Sequence, residues 1–111
     1  MSKNGFAEYV IDLLTPLGNI KSRKMFGGVG FYKDGIFFAL IADEILYFKV
    51  DDATRFKYES YGSKPFSYEG KNKKTIVMSY WEVPADILEN PDNLAEWVLL
   101  AVQAAKRAKK N

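Results

Sequence analysis

Hydrophobic residues along this chain alternate between helical and strand-like spacing. Near the N-terminus they recur at intervals of three and four residues, which predicts an amphipathic helix over residues 4–15. A proline and a glycine then end this helix. Its apolar stripe consists of Phe6, Val10, Leu13, Leu14 and Leu17.

Residues 20–50 have a different pattern, in which β-branched and aromatic residues dominate and three turn signals intervene. This pattern predicts four strands. Asp34 and Gly35 fit a two-residue hairpin turn, because both central positions of such a turn need positive φ. Residues 36–42 are apolar on both faces, so we expect them to form a central strand of the sheet.

The second half of the chain predicts another helix, a hairpin and two further helices. Asp51 is the expected N-cap of a helix over residues 51–61, with Phe56 and Tyr61 as its anchors in the core. Residues 66–69 and 75–81 form a second hairpin. Residues 84–88 form a short helix. One face of the second hairpin carries Ile76, Met78 and Tyr80.

The longest helix begins near residue 90, with Asn90 as N-cap and Pro91 at its first position. Its predicted apolar stripe is Leu94, Trp97, Val98, Ala101, Ala105 and Ala108. The fold class that follows is α+β, with two layers. It has a mainly antiparallel sheet of about six strands and the N- and C-terminal helices packed on one face. Residues 1–111 are expected to form a single domain.

Composition narrows the possible chemistry. The sequence has no Cys and no His, which excludes disulfides, thiolate nucleophiles and the usual general base near neutral pH. The acidic residues lack the spacing of a metal loop, so we predict no catalytic residue, no metal and no cofactor. The formal charge is +2, and neither a signal peptide nor a membrane-length apolar run is evident. A soluble cytoplasmic protein is the expectation.

The candidate binding residues surround a glycine cluster at the end of the first predicted strand. They are Arg23, Lys24, Met25, Phe26, Gly27 and Gly28. The cluster itself favours a bulge or a tight strand connection over a phosphate cradle, because strand residues rather than a helix follow it. Arg23 and Lys24 are either a solvated strand end or cations for phosphates or an acidic partner.

Aromatic residues lie on several neighbouring predicted strands. This arrangement favours a packed core over an exposed platform on which nucleobases stack. The residues concerned are Phe31, Tyr32, Phe37, Phe38, Tyr47 and Phe48.

From about Phe6 to Ala105 the chain resembles the N-terminal domain of the TfoX/Sxy family, which is named for regulators of natural competence. The resemblance rests mainly on the six candidate binding residues and the Asp34-Gly35 turn. Residues 46–51, residues 79–84 and the segment around Trp97 extend it. Two-domain competence regulators carry a further C-terminal domain, so the resemblance implies a stand-alone single-domain member.

The resemblance implies a non-enzymatic regulatory or protein-interaction domain. In the family the implied role is to assist transcription of competence genes together with the cyclic-AMP receptor protein. The expected partners are therefore proteins of the transcription machinery, with weak nonspecific binding of nucleic acid at most. The alternative is a small-ligand or nucleotide-binding module that uses the Gly27-Gly28 turn and the nearby basic residues.

Overall fold

A computed structural model describes residues 4–25 and 27–109. The helices are α1 (Asn4–Leu14), α2 (Arg55–Ser60), α3 (Ala85–Leu88) and α4 (Pro91–Lys109). The strands are β1 (Ile20–Met25), β2 (Gly28–Lys33), β3 (Ile36–Ala42), β4 (Ile45–Lys49), β5 (Pro65–Glu69) and β6 (Thr75–Glu82). The α+β class, the four early strands and the second hairpin are confirmed.

The six strands form one antiparallel sheet in the order β1-β2-β3-β4-β6-β5. Strand β3 lies in the interior of the sheet, as its two apolar faces predict. Strands β1 and β5 form the two edges. The Asp34-Gly35 turn is confirmed, since Asp34 has φ 51° and Gly35 has φ 81°.

Strand β3 contains a β-bulge that places two successive residues on the same face. Phe31 of β2 pairs with Ala39, whereas Tyr32 pairs with Phe37, so Phe38 is the extra residue. Phe38 and Ala39 are both completely buried in the core. The bulge therefore resets the alternation of β3, which a strict period of two does not anticipate.

The helices cover one face of the sheet and build the core with it. Val10 and Leu14 of α1 are buried in the same cluster as Phe31, Phe38 and Phe48. Helix α1 ends at Leu14 and is followed by a 3-10 turn, Thr15–Leu17. This turn contains Pro16, the proline predicted to end the helix. No helix of the described residues is long and apolar enough to cross a membrane.

Helix α4 is the main helix of this layer, and it packs against β3 and β4. Asn90 caps it as predicted, because its Oδ1 accepts a hydrogen bond from the backbone N–H of Asn93 at 3.1 Å. The predicted stripe is buried except for Ala108, which is exposed because it lies in the last turn, beyond the buried stretch that ends at Ala105. Val102 and Ala104 are buried in addition.

The predicted details of α2 are partly wrong. The helix begins at Arg55, because Asp51 instead starts a turn in which its carbonyl accepts from the N–H of Thr54. The predicted anchors are exposed, Phe56 by 62% and Tyr61 by 49%. Tyr58 is the residue that anchors α2.

Tyr58 is 3% exposed and lies with its ring centroid 4.5 Å from that of Trp97. The position of Tyr58 within the short helix is the sequence signal for its burial. Tyr58 is two residues from Phe56, so the two side chains point to nearly opposite sides of the helix and only one of them can be buried under it. The direction in which this short helix docks decides which ring is buried.

Candidate functional site at the glycine turn

The structure places the candidate residues beside an open cleft of about 660 Å³. The cleft lies where the N-terminal part of α1 meets the ends of β1 and β2 and the β3–β4 turn. Its lining residues are Phe6, Ala7, Lys24, Met25, Gly27, Gly28, Val29, Ile41, Asp43 and Glu44. Four of the six candidate residues are therefore brought together, whereas Phe26 lies outside the described residues.

The glycine cluster is a tight strand connection, as predicted. Met25 of β1 pairs with Gly28 of β2, and Gly27 lies in the connection between the two strands. Gly27 has φ 79°, in the region that favours glycine.

Gly28 is needed for a different reason from the one that a turn suggests, because its φ is not positive. A Cβ atom on Gly28 would overlap the backbone carbonyl oxygen of Ile41 in β3. The absence of a side chain allows the two strands to approach. This packing requirement accounts for Gly28 without a ligand.

Arg23 and Lys24 lie on opposite faces of the sheet. Arg23 pairs with Gly30 and Lys24 with Val29, and consecutive strand residues point to opposite faces of a sheet. Lys24 lines the cleft at the glycine turn, whereas Arg23 lines a second cleft of about 520 Å³ together with Lys21 and Tyr32. The candidate segment is therefore divided between two sites.

The charge of the first cleft is mixed. Lys24 shares it with Asp43 and Glu44, which lie in the β3–β4 turn. Two carboxylates beside one ammonium group disfavour a phosphate, since like charges repel it. The cleft suits a surface or a ligand with a cationic group better than a nucleotide.

The basic residues do not form one continuous patch. Arg23 and Lys24 lie on β1 at one edge of the sheet, whereas Lys71, Lys73 and Lys74 lie at the β5–β6 connection near the other edge. The strands between them separate the two groups. A single stretch of phosphates would need to cross the whole sheet to meet both.

Of the six aromatics predicted to lie in the core, four are buried: Phe31, Phe38, Tyr47 and Phe48. Phe31, Phe38 and Phe48 belong to the core cluster under the helices. Tyr32 and Phe37 are half-buried on the opposite face, which we call the open face of the sheet.

The open face carries further aromatic rings. Ring centroids of Tyr32 and Phe37 are 5.2 Å apart, and those of Phe37 and Tyr80 are 5.8 Å apart. Tyr47 lies 5.0 Å from Phe66 by the same measure. The sequence signal for this face is the alternation along β6, where Ile76, Met78 and Tyr80 recur at a spacing of two.

Two tyrosines of the open face have perturbed hydroxyl groups. Burial, and after it the neighbouring Tyr32, raises the pKa of Tyr80 to about 12. Burial also raises the pKa of Tyr47, with further contributions from the negative charges of Glu82 and Asp43. Both phenols are therefore neutral at physiological pH.

Known proteins resemble this chain both by family model and by sequence. The model of the family described as TfoX N-terminal domain matches residues 12–105. A relative, the DNA transformation protein TfoX1 of Aliivibrio fischeri, is 27% identical over 101 residues. The match covers 89% of this chain and 47% of the relative, so the chain spans about half the length of that protein.

Proposed function

Because the chain belongs to the TfoX N-terminal domain family, we propose that it is a non-enzymatic regulatory domain that binds other proteins in the control of DNA transformation. The observation that carries the proposal is the family match across residues 12–105, together with the relative named as a DNA transformation protein. The absence of Cys and His from the sequence supports a role without catalysis, since it removes the commonest nucleophile and general base.

The proposed partners are cytoplasmic proteins of the transcription machinery. DNA itself would be bound weakly and without sequence preference. The net charge of +2 and the separation of the β1 cations from the lysines at the β5–β6 connection both support this proposal.

We assign the partner contact to the cleft at the glycine turn. Its walls combine the apolar Phe6 and Val29 with the charged Lys24, Asp43 and Glu44. An apolar centre with polar groups at its border is typical of protein interfaces. Lys24 is exposed, so its replacement can test the contact without disturbing the core.

The test is natural transformation of the native cell with a marked linear DNA, combined with measurement of transcripts. Deletion of the gene is expected to lower or raise the transformation frequency by at least an order of magnitude. The wild-type gene should restore the original frequency. The variant Lys24→Glu should fail to restore it, whereas the control Lys106→Glu, on the exposed side of α4, should succeed.

An affinity pull-down with the same variants identifies the partner by mass spectrometry. Unchanged transformation and unchanged transcripts after deletion would contradict the proposed function. If Lys106→Glu lost function as strongly as Lys24→Glu, the cleft would not be the partner contact. In both variants, the circular dichroism spectrum and thermal midpoint should match those of the wild type.

The cleft also supports the alternative of a small-ligand module. Its volume of about 660 Å³ is within the range of ligand pockets. Asp43 and Glu44 argue against a nucleotide among such ligands. Titration calorimetry with ATP tests the nucleotide form of this alternative, because heat of binding that Lys24→Glu abolishes would favour it and contradict the charge argument.

A further inference from the structure

The open face of the sheet holds a row of residues that is complementary to itself. Cross-strand pairing joins Arg23 of β1 to Gly30, Gly30 to Leu40, Leu40 to Tyr47, and Tyr47 to Glu82 of β6. Directly paired residues share a face, so these five form one row across five strands. The row, which we call the central row, begins with a cation and ends with an anion.

We propose that the open face binds the open face of a second copy of this chain. A two-fold axis parallel to the strands and passing by Leu40 would reverse the order of the central row. Arg23 of one copy would then face Glu82 of the other, and Leu40 would face its own counterpart. An interface of this kind is isologous, so the pair of Arg23 and Glu82 occurs twice.

The dimensions of the row suit this arrangement. Five strands separated by about 4.8 Å place Arg23 and Glu82 roughly 19 Å apart, too far to pair within one copy. The three ion pairs among the described residues include neither of them. Two sheets pack face to face about 10 Å apart, a distance that long side chains at the border can bridge.

The composition of the face favours a protein surface over a nucleic acid. Its centre is apolar, with Leu40 half-buried, and Phe37 lies over Gly30 beside it. Glu82 and Asp43 are close enough to Tyr47 to raise its pKa, and such anions would repel phosphates. Arg23 is the only cation in the central row, and Lys49, which pairs with Tyr80 next to the row, lies over the Tyr80 ring. A second copy supplies the opposite charge at each end.

The exposed area of the chain is consistent with an uncovered face. The accessible surface is 7314 Å² for a mass of 12.6 kDa. Monomeric globular proteins of this mass expose roughly 6,200 Å². The chain as a whole therefore exposes more surface than a typical monomer, and a partner on the open face would cover part of it.

The experiment is sedimentation equilibrium of the full chain from micromolar to near-millimolar concentration. The wild type is expected to show a monomer–dimer equilibrium. Arg23→Glu and Glu82→Arg should each weaken the dimer by about tenfold or more, since each places like charges opposite each other twice. The double variant should return to within about threefold of the wild type, because the exchanged charges attract again.

The control Lys106→Glu makes the same change of charge as Arg23→Glu but on α4, away from the open face, and it should leave the dimer unchanged. Leu40→Arg should abolish the dimer. If Leu40→Arg fails to fold, the double variant still tests the proposal. A protein that had lost its fold through either single exchange could not regain the dimer when the second exchange is added.

Three results would overturn the proposal. One is a monomer at every concentration. Another is a dimer that Arg23→Glu and Glu82→Arg leave unchanged, or one that the double variant does not restore. The third is a monomer that binds a labelled single-stranded oligonucleotide through Arg23, which would assign the open face to nucleic acid. The dimer test uses purified protein, so its failure is distinct from failure of the transformation test.

Discussion

Single residues of this chain show how close packing can impose a residue type that looks functional. Gly28 lies in the most distinctive motif, and a turn of positive φ or a ligand could each explain a glycine there. The structure gives a third reason, because β3 passes so close that a Cβ would meet the carbonyl of Ile41. At Gly30, the side chains of Met25 and Phe37 occupy the space that a Cβ would need.

Gly28→Val is therefore expected to destabilise the protein by about 1–3 kcal/mol, because the added atoms force β2 away from β3. Chemical denaturation followed by circular dichroism measures this loss. The matched control is Gly27→Asn. No atom lies within 4 Å of a Cβ at Gly27, and Asn tolerates its φ of 79°, so the control should lose much less. Equal midpoints for Gly28→Val and the wild type would contradict the steric explanation.

At the scale of elements, aromatic contacts fasten the short α2 to the long α4. Six residues form a helix too short to be stable alone, so α2 depends on what it packs against. Tyr58 supplies the contact by meeting Trp97 edge to face. Burial raises the pKa of Tyr58 well above its ordinary value, which keeps the phenol neutral.

Trp97→Ala should cost about 3–5 kcal/mol, because a large side chain only 4% exposed leaves a cavity under both helices. Urea denaturation gives the value. Leu99→Ala in the same helix removes a side chain that is 52% exposed, and it should change stability by no more than about 0.5 kcal/mol. Similar losses in the two variants would show that α4 docks by a different face.

At the scale of the whole molecule, one ion pair joins parts of the chain that are 56 residues apart. Arg107 Nε donates to Asp51 Oδ2 at 2.6 Å and thereby connects α4 to the turn before α2. The hydrogen bond from Arg107 is the main cause that lowers the pKa of Asp51. The charge of Arg107 and hydrogen bonds from Ala53 and Thr54 lower it further, whereas burial opposes them. The carboxylate form is therefore stabilised by folding.

A lowered pKa in the folded state fixes the sign of the pH dependence. The stabilisation is present above the unfolded pKa, near 3.9, and is lost as pH falls through the folded value. Asp51→Asn should lower the thermal midpoint at pH 7, and the difference from the wild type should close in acid. Asp52→Asn is the control, because the Asp52 side chain is 95% exposed and contributes little. A difference independent of pH would show that charge is not involved.

The sequence by itself determined the class of fold and most of the helices and strands. The strands around Asp34 and Gly35 follow from backbone rules that act over a few residues. The stripe on α4 follows from helical spacing in the same way. The family resemblance was also visible in the sequence, because several ordered segments carry it, and the match over residues 12–105 confirms it.

Tertiary structure decided which residues meet. The bulge at Phe38 placed Phe38 and Ala39 on the same face of the sheet, and the docking of α2 buried Tyr58 instead of Phe56. Strand pairing placed Arg23 and Lys24 on opposite faces and aligned Arg23 with Glu82 across the sheet. Spacing along the chain reports only local geometry. Register, bulges and helix docking depend on contacts between residues far apart in sequence, so the candidate site could be predicted only as a segment and not as a surface.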